Sequence, residues 1–282
     1  ALFAGKTLTH HGRWRTKPEV AARHRAAGVL FVYTREGAGY GWEVVRNGWT
    51  RPVTYDPAEA RLLLEGWLSG PAAVRAIRAA GESPEELRTA ANRPDFRPRP
   101  LAVKVEARAN PKYETIVSGN VAGLVRGKGP ADSSPVVVVS AHHDHLGVGT
   151  TENGDSIYNG AMDNGSALAV LLALSRRIGA RTGELPVDVL FLAPAAEEGG
   201  LLGSGRFVAQ PPVPLPRMVA NINLEMSAVW GPARDVVAIG AGESALGSVV
   251  EAVAKKEGLK VAPEPAPEQG FFYRSDQYSF AR

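Results

Sequence analysis

The chain has 282 residues, 44% of them hydrophobic and 22% charged, with a formal net charge of +3, which suits a globular protein of two domains or one large one. Its basic residues are scattered rather than striped, so no nucleic-acid footprint is expected, and no apolar run reaches the ~18 residues of a membrane span. Cysteine is absent, so disulfide frameworks and thiolate metal sites are excluded, and any metal must sit on His, Asp or Glu.

The chain begins at Ala1 without a Met or a signal peptide and stops at Arg282 directly after a motif, so both ends are expected to be cuts in a longer sequence. Gly5 to Thr9 predicts a short strand. Pro18 to Ala27 is rich in Ala, Arg and Glu and predicts a helix, ended by Gly28 and followed by a strand over Val29 to Tyr33. Tyr40, Trp42, Trp49 and Tyr55 lie in a Gly-rich stretch that predicts loops or hairpins. Leu62 to Ala80 predicts a helix broken near Gly70-Pro71. Glu85 to Ala91 predicts another, with Ser83 as its cap and Pro84 in its first turn. None of these segments carries a catalytic constellation. The proline-rich run from Arg93 to Pro100 marks a linker and divides the chain into domains 1–100 and 101–282.

Beyond the linker, strands alternate with helices. Leu101 to Ala107 alternates apolar and polar residues like a half-exposed strand, and Asn120 to Val125 predicts another. Val136 to Val139 reads as a strand buried on both faces. A long loop, Val148 to Tyr158, leads to Asn159-Gly160 and a helix with Ala167, Leu171, Leu174 and Ile178 along one stripe. Val187 to Leu192, Met218 to Leu224 and Val236 to Ile239 predict further strands, and Ser244 to Glu257 a helix. The alternation predicts an α/β domain: three layers around a mostly parallel sheet.

Ionisable residues gather where these strands end. His142, His143, Asp144 and His145 follow the valine strand, Glu197 and Glu198 follow the next, and Glu225 follows a third. Asp163 sits where a loop enters a helix. In open α/β sheets, sites form outside the carboxyl ends of strands. One imidazole and four carboxylates would converge there; the like charges of the carboxylates would repel, and a divalent cation is the simplest compensation. Asp163 could bridge two metals. Of Glu197 and Glu198, one could bind metal while the other acts as general base. Each residue also has a plain structural reading: Asp163 as a helix cap, the Glu pair as a solvated turn, Glu225 as the partner of Arg234.

These stretches resemble the di-zinc aminopeptidases related to bacterial leucyl aminopeptidase and glutamate carboxypeptidase. The resemblance rests on Ala141 to Gly147, Asn159 to Ser166, Ala196 to Ser204, Asn221 to Met226 and Arg274 to Phe280, in the family's order. It implies two zinc ions, with His142 and Glu198 on one, Glu225 on the other and Asp163 bridging. It implies Glu197 as general base and Asp144 behind His142. The implied activity is that of a zinc-dependent exopeptidase acting on peptides, an aminopeptidase first. The alternatives are a glutamate-carboxypeptidase-like enzyme, for which Arg274 would meet a substrate carboxylate, and a non-catalytic binding module on the same fold. Tyr158, Phe272 and Tyr273 are candidates for the cleft wall. Residues 1–100 resemble a protease-associated domain, and such proteins are generally exported. Three positions depart from the pattern: Glu225 stands where the family usually has Asp, Gln277 stands where it has His, and the last His ligand is expected beyond Arg282. The oligomeric state is open.

Overall fold

The structure is a computed structural model describing residues 7–49, 52–57 and 62–282. Contacts divide it into two compact units, one of His11–Pro52 and Ala58–Ile116, the other of Ala1–His10, Val53–Pro57 and Val117–Arg282.

The first unit is built on a parallel pair, β1 (Gly28–Val32) and β2 (Leu64–Leu68). Around it lie α1 (Thr16–Arg23), α2 (Arg35–Ala38), α3 (Trp42–Trp49), α4 (Gly70–Ala79) and α5 (Pro84–Ala91). The strands approach so closely that a Cβ on Gly28 would lie 2.6 Å from the Leu64 carbonyl oxygen, which explains a glycine at the strand entrance. Phe31 is buried, and its ring centroid lies 4.9 Å from Trp67 and 5.8 Å from Trp14. Ser83 caps α5 as expected, its Oγ accepting the Glu86 amide at 3.2 Å.

Three expectations fail in this unit. Leu62 to Ala80 is not one broken helix: Leu64–Leu68 is a strand, because it finds β1 as a parallel partner, and the helix starts only at Gly70. The Trp42–Trp49 stretch is a helix rather than loops, with Val45 buried and Trp42 edge-on to Tyr33 at 5.2 Å. Tertiary packing overrides the glycines there. Leu101 to Ala107 pairs with no strand, and Val103 and Val105 are exposed. The predicted strand at Gly5 to Thr9 begins outside the described residues, as does the side chain of Trp49.

The second unit holds a four-stranded sheet in the order β3 (Val121–Val125), β7 (Asp188–Ala193), β4 (Val136–Ser140), β8 (Met218–Asn223). β3 runs antiparallel to β7; β7, β4 and β8 are mutually parallel. The period-2 alternation of β4 and β7 sends Val136, Val138, Leu190 and Leu192 to one face, where Phe207 of α7 (Leu202–Ala209) packs. Val139, Val189 and Phe191 go to the other face, against Ala167 and Leu171 of α6 (Ser166–Gly179). This gives the expected three layers. Each such buried Leu or Phe stabilises by roughly 1.5–3 kcal/mol.

One further expectation needs correction, and one expected strand lies apart from the main sheet. Val148 to Tyr158 is a hairpin, β5 (Gly147–Glu152) and β6 (Asp155–Tyr158), not a loop. Its turn is Asn153-Gly154, both at positive φ, the residue pair such hairpins favour. The strand at Val236 is β9 (Asp235–Val237), which pairs in parallel with β10 (Lys260–Ala262), apart from the main sheet. Helix α8 (Leu246–Lys256) lies between them in sequence, and α9 (Gln277–Ala281) follows.

The amino edge of the sheet is closed by charge. Asp188, fully buried at the start of β7, accepts from Arg126 at 2.7 Å, Arg217 at 3.1 Å and the Gly127 amide at 2.8 Å. Removing a partner from such a buried network typically costs 3–5 kcal/mol or so. Asp188→Ala should therefore lower stability by about 3 kcal/mol in urea titration while metal content per folded chain stays the same. A change below about 0.5 kcal/mol would show that the pair is not structural.

Candidate metal centre

The carboxyl edge of the sheet carries the chemistry. Ser140 at the end of β4 pairs with Asn223 at the end of β8. Two residues beyond each lie His142 and Glu225, so the register sets them side by side. His142 is 1% exposed. Its Nδ1 lies 3.0 Å from the Asp144 carbonyl oxygen. A carbonyl only accepts, so Nδ1 carries a hydrogen there. Nε2 then faces Asp163 Oδ1 at 3.1 Å and Glu225 Oε2 at 3.4 Å.

On the other side of β4, the pairing with β7 continues past the strand ends, with His143 N donating to the Pro194 carbonyl at 3.0 Å. Ala196 then turns at φ +53°. That turn aims two successive amides at one carboxylate: Glu197 N reaches Asp144 Oδ1 at 3.0 Å, and Glu198 N reaches Oδ2 at 3.2 Å. Asp144 thus stands behind His142 chiefly through its backbone; its carboxylate, 3.7 Å from Nδ1, clamps the Glu pair. Glu198 extends toward His145, with Oε1 at 2.9 Å from Nδ1.

Asp163 does not cap α6. It sits in an irregular turn before the helix, with non-helical φ and ψ, and makes no capping bond. The next residue holds the turn in place: buried Asn164 donates to the Leu224 carbonyl at 2.9 Å and accepts from Met226 N at 3.0 Å. Asp163 thereby faces the ends of β4 and β8.

Two groups result. His142, Asp163 and Glu225 form one, and His145, Asp163 and Glu198 form the other, with the ligand atoms of each within 4.8 Å of one another. Asp163 is common to both. The resemblance had put Glu198 with His142; the strand order puts Glu225 there, because β8 neighbours β4 on that side. Glu225 also accepts from Asn223 Nδ2 at 2.7 Å, so its near partners are His142 and Asn223 rather than Arg234. Gln277 donates to the Phe272 carbonyl at 2.8 Å. The Arg274 guanidinium lies over the Phe271 ring at 5.2 Å. Phe272 and Tyr273 pack with Tyr278, while Tyr158 lines a cavity of about 290 Å³ with Asn159, Asn164 and Leu168.

Sequence reasoning missed the polar scaffold. Asn164 and Asn223 stand within the motifs, and Asn120 immediately precedes β3. Asn120 accepts from the Ala195 amide at 3.0 Å and donates to the Gly203 carbonyl at 2.8 Å. A Cβ on Gly203 would come within 2.5 Å of that Asn120 oxygen, which explains the glycine.

The electrostatics are those of a site short of positive charge. Burial alone would lower the His142 imidazole. The nearby carboxylates of Asp144 and Glu225, and the charge of Glu197, outweigh it and push the ring up to about 11. Burial raises Glu197 to about 8; His142 opposes this, and Asp276, Glu225 and Glu198 add to it. Burial and then the Asp163 charge raise Glu198 as well. Fully buried Asp276 is raised to about 6, chiefly by burial. Burial would also raise Asp144, but His142 and the two amides hold it below the ordinary carboxylate range.

These features define an α/β protein with two linked acid–imidazole groups, each suited to a metal ion, at the carboxyl edge of its sheet. The chain belongs to peptidase family M28, whose model matches residues 120–282. No curated protein matches it. Similar solved structures include the zinc aminopeptidase BSAP from Bacillus subtilis, 28% identical with a TM-score of 0.43, over 57% of this chain and 37% of that one. The aminopeptidase from Aneurinibacillus sp. strain AM-1 is 23% identical with a TM-score of 0.42, over 57% and 36%. Porphyromonas gingivalis glutaminyl cyclase is 18% identical with a TM-score of 0.43, over 57% and 58%. The chain spans little more than a third of the length of those aminopeptidases.

Without metal, the folded chain holds protons that the unfolded chain releases. For Glu197 this window runs from the ordinary 4.5 to about 8, and for His142 from 6.5 to about 11. The stability linked to these protons is present below each lower value and is lost as pH rises through the upper one. In a chelator, the urea midpoint should therefore fall between about pH 5 and about pH 8. With zinc, which replaces the protons, the fall should disappear. A midpoint that climbs with pH in the chelator would contradict this electrostatic picture.

Proposed function

We propose that the protein is a zinc-dependent exopeptidase with a co-catalytic pair of ions, and that it acts as an aminopeptidase. The observation that carries this reading is the sharing of Asp163 between two groups that each combine an imidazole with a second carboxylate. Membership of peptidase family M28 supports it. The donors fit zinc: imidazole nitrogen and carboxylate oxygen, without thiolate. His142, Asp163 and Glu225 would hold one ion, and Asp163 with Glu198 the other. When bound, such ions polarise a carbonyl and bring a coordinated water to a pKa near ~7.

Glu197 belongs to neither group. It is attached at the Asp144 clamp beside Glu198, and its raised affinity for protons suits a group that takes one from water and returns it to the leaving amine. Asp144 keeps the two Glu side chains divergent by holding both of their amides. The His142 Nδ1 hydrogen, fixed on the Asp144 carbonyl, keeps Nε2 turned toward Asp163 and Glu225. The same reading takes residues 1–100 as a protease-associated-like domain and places the protein outside the cytoplasm. For carboxypeptidase specificity, Arg274 would have to leave the Phe271 ring, so an amino-terminal substrate is favoured.

Glu197→Gln should leave zinc content nearly unchanged and cut hydrolysis of aminoacyl chromogenic substrates by roughly 10²–10⁴-fold. Metal analysis beside a substrate panel with and without zinc checks both halves. Loss of zinc together with activity would make Glu197 a ligand. A zinc-loaded chain that cleaves no aminoacyl or peptidyl substrate would overturn the enzymatic reading.

A further inference from the structure

Residues 100–118 lead from the first unit into the second and take up no regular structure. All of residues 97–119 are exposed, Tyr113 by 77% and Val117 by 91%. Among the described residues, no hydrogen bond or ion pair reaches any position from 100 to 118. A row of free main-chain N–H and C=O groups lets a partner add an extended segment to the edge of its own sheet. Exposed segments of this kind are where chains are nicked. Inside a helix or a paired strand a cut must wait for local opening; here it need not.

The side chains select the kind of endopeptidase. Lys104, Arg108 and Lys112 recur at every fourth position and are followed by Val105, Ala109 and Tyr113. The two arginines just before them, Arg97 and Arg99, are each followed by proline, which lacks the N–H and fixes the chain, so those bonds resist cleavage. Arg97 is also tied to the Phe96 carbonyl at 2.9 Å, and Arg99 to Glu82 at 3.4 Å. Cleavable basic positions therefore begin where the bonding ends.

A cut there leaves the pieces attached. Ala1–His10 and Val53–Pro57 precede the segment in sequence but belong to the second unit. Leu8 N donates to the Pro267 carbonyl at 3.1 Å, and Leu8 packs so closely on Gly270 that a Cβ there would lie 3.0 Å from Leu8 Cδ2. The His10 imidazole meets the Tyr278 hydroxyl, and Thr54 lies against Gly199. His142, Asp163, Glu197, Glu198 and Glu225 all lie downstream of the cut, on one piece.

We infer that residues 100–118 are a processing site for an endopeptidase that cuts after Lys or Arg, and that the cut turns the chain into two pieces held together without a covalent bond. Water adds across the peptide bond after Lys104, Arg108 or Lys112. It leaves a carboxylate on that residue and an amine on the next, and the external endopeptidase supplies the catalysis.

The test uses trypsin as the probe, at limiting amounts, on the whole folded 282-residue chain. Mass spectrometry should find the first internal cuts after Lys104, Arg108 or Lys112 and none after Arg97 or Arg99. Gel filtration should recover the two pieces together, and urea should part them. A variant combining Lys104→Gln, Arg108→Gln and Lys112→Gln should survive intact roughly tenfold longer or more, because cuts in the helices and strands wait for opening. Its three changes are on exposed side chains, and an unchanged urea midpoint confirms that it folds. First internal cuts elsewhere, or a folded triple variant as short-lived as the unaltered chain, would overturn the processing site. Pieces that elute apart without urea would overturn the two-piece form.

Discussion

The pairing of β4 with β8 is the constraint on which the rest of the site depends. Its register places a buried imidazole beside a carboxylate two residues beyond the strand ends. Neither residue is held by a long side chain reaching across a gap. His142 is a fixed continuation of β4, whose residues are packed on both faces, and Glu225 is a fixed continuation of β8, which pairs with it. The apolar core therefore sets the positions of charged groups that would otherwise separate. Those groups repel, and this repulsion adds to the burial that raises the proton affinities of Glu197 and Glu198. A sheet of this kind can keep them together only because valine, leucine and phenylalanine burial stabilises it independently of the site.

Around the charged groups lies a layer of amides that does the fine positioning. Asn223 joins Ser140 at the end of β4 to Glu225 beyond β8, with bonds of 2.7 Å on each side. Asn164 ties the Asp163 turn to the same strand end. Asn120 holds the start of the Glu197–Glu198 turn. Neutral amides suit this duty. They both donate and accept, so they satisfy backbone groups at strand ends without adding to the negative charge.

This division explains what was legible in the sequence. The valine run, the apolar run at Val187 and the stripe of α6 announced buried strands and a packed helix, because their patterns are local. His142, Glu197, Glu198 and Glu225 were legible because each follows a strand end, and Asp163 because it stands where a loop enters a helix. Which acid accompanies His142 was not, because it depends on strand order: β4 lies between β7 and β8, and nothing local to Glu198 or Glu225 encodes that. The first unit was harder to read for a related reason. Leu64–Leu68 carries helix-forming residues and becomes a strand only through β1, while the Trp42–Trp49 helix is held by contacts such as Trp42 on Tyr33. The Asn153-Gly154 turn, by contrast, was a local hairpin signal that the surrounding polar residues obscured.

Asp144 shows how one residue couples these levels. Its backbone carbonyl fixes the His142 ring, and its carboxylate gathers the amides of Glu197 and Glu198. Two consecutive residues held by their amides on one carboxylate cannot both turn their side chains the same way, so Glu198 reaches toward His145 while Glu197 stays outside both metal-suited groups. The carboxylate is held low by His142 and by those same amides, so it remains charged and attached when its neighbours take up protons. The separation of a ligand from a base in adjacent positions is thus a property of the backbone, set by the turn at Ala196 and by one acid two residues from His142. Neither glutamate needs any other feature to differ from its neighbour, and so the two roles can sit side by side in the chain.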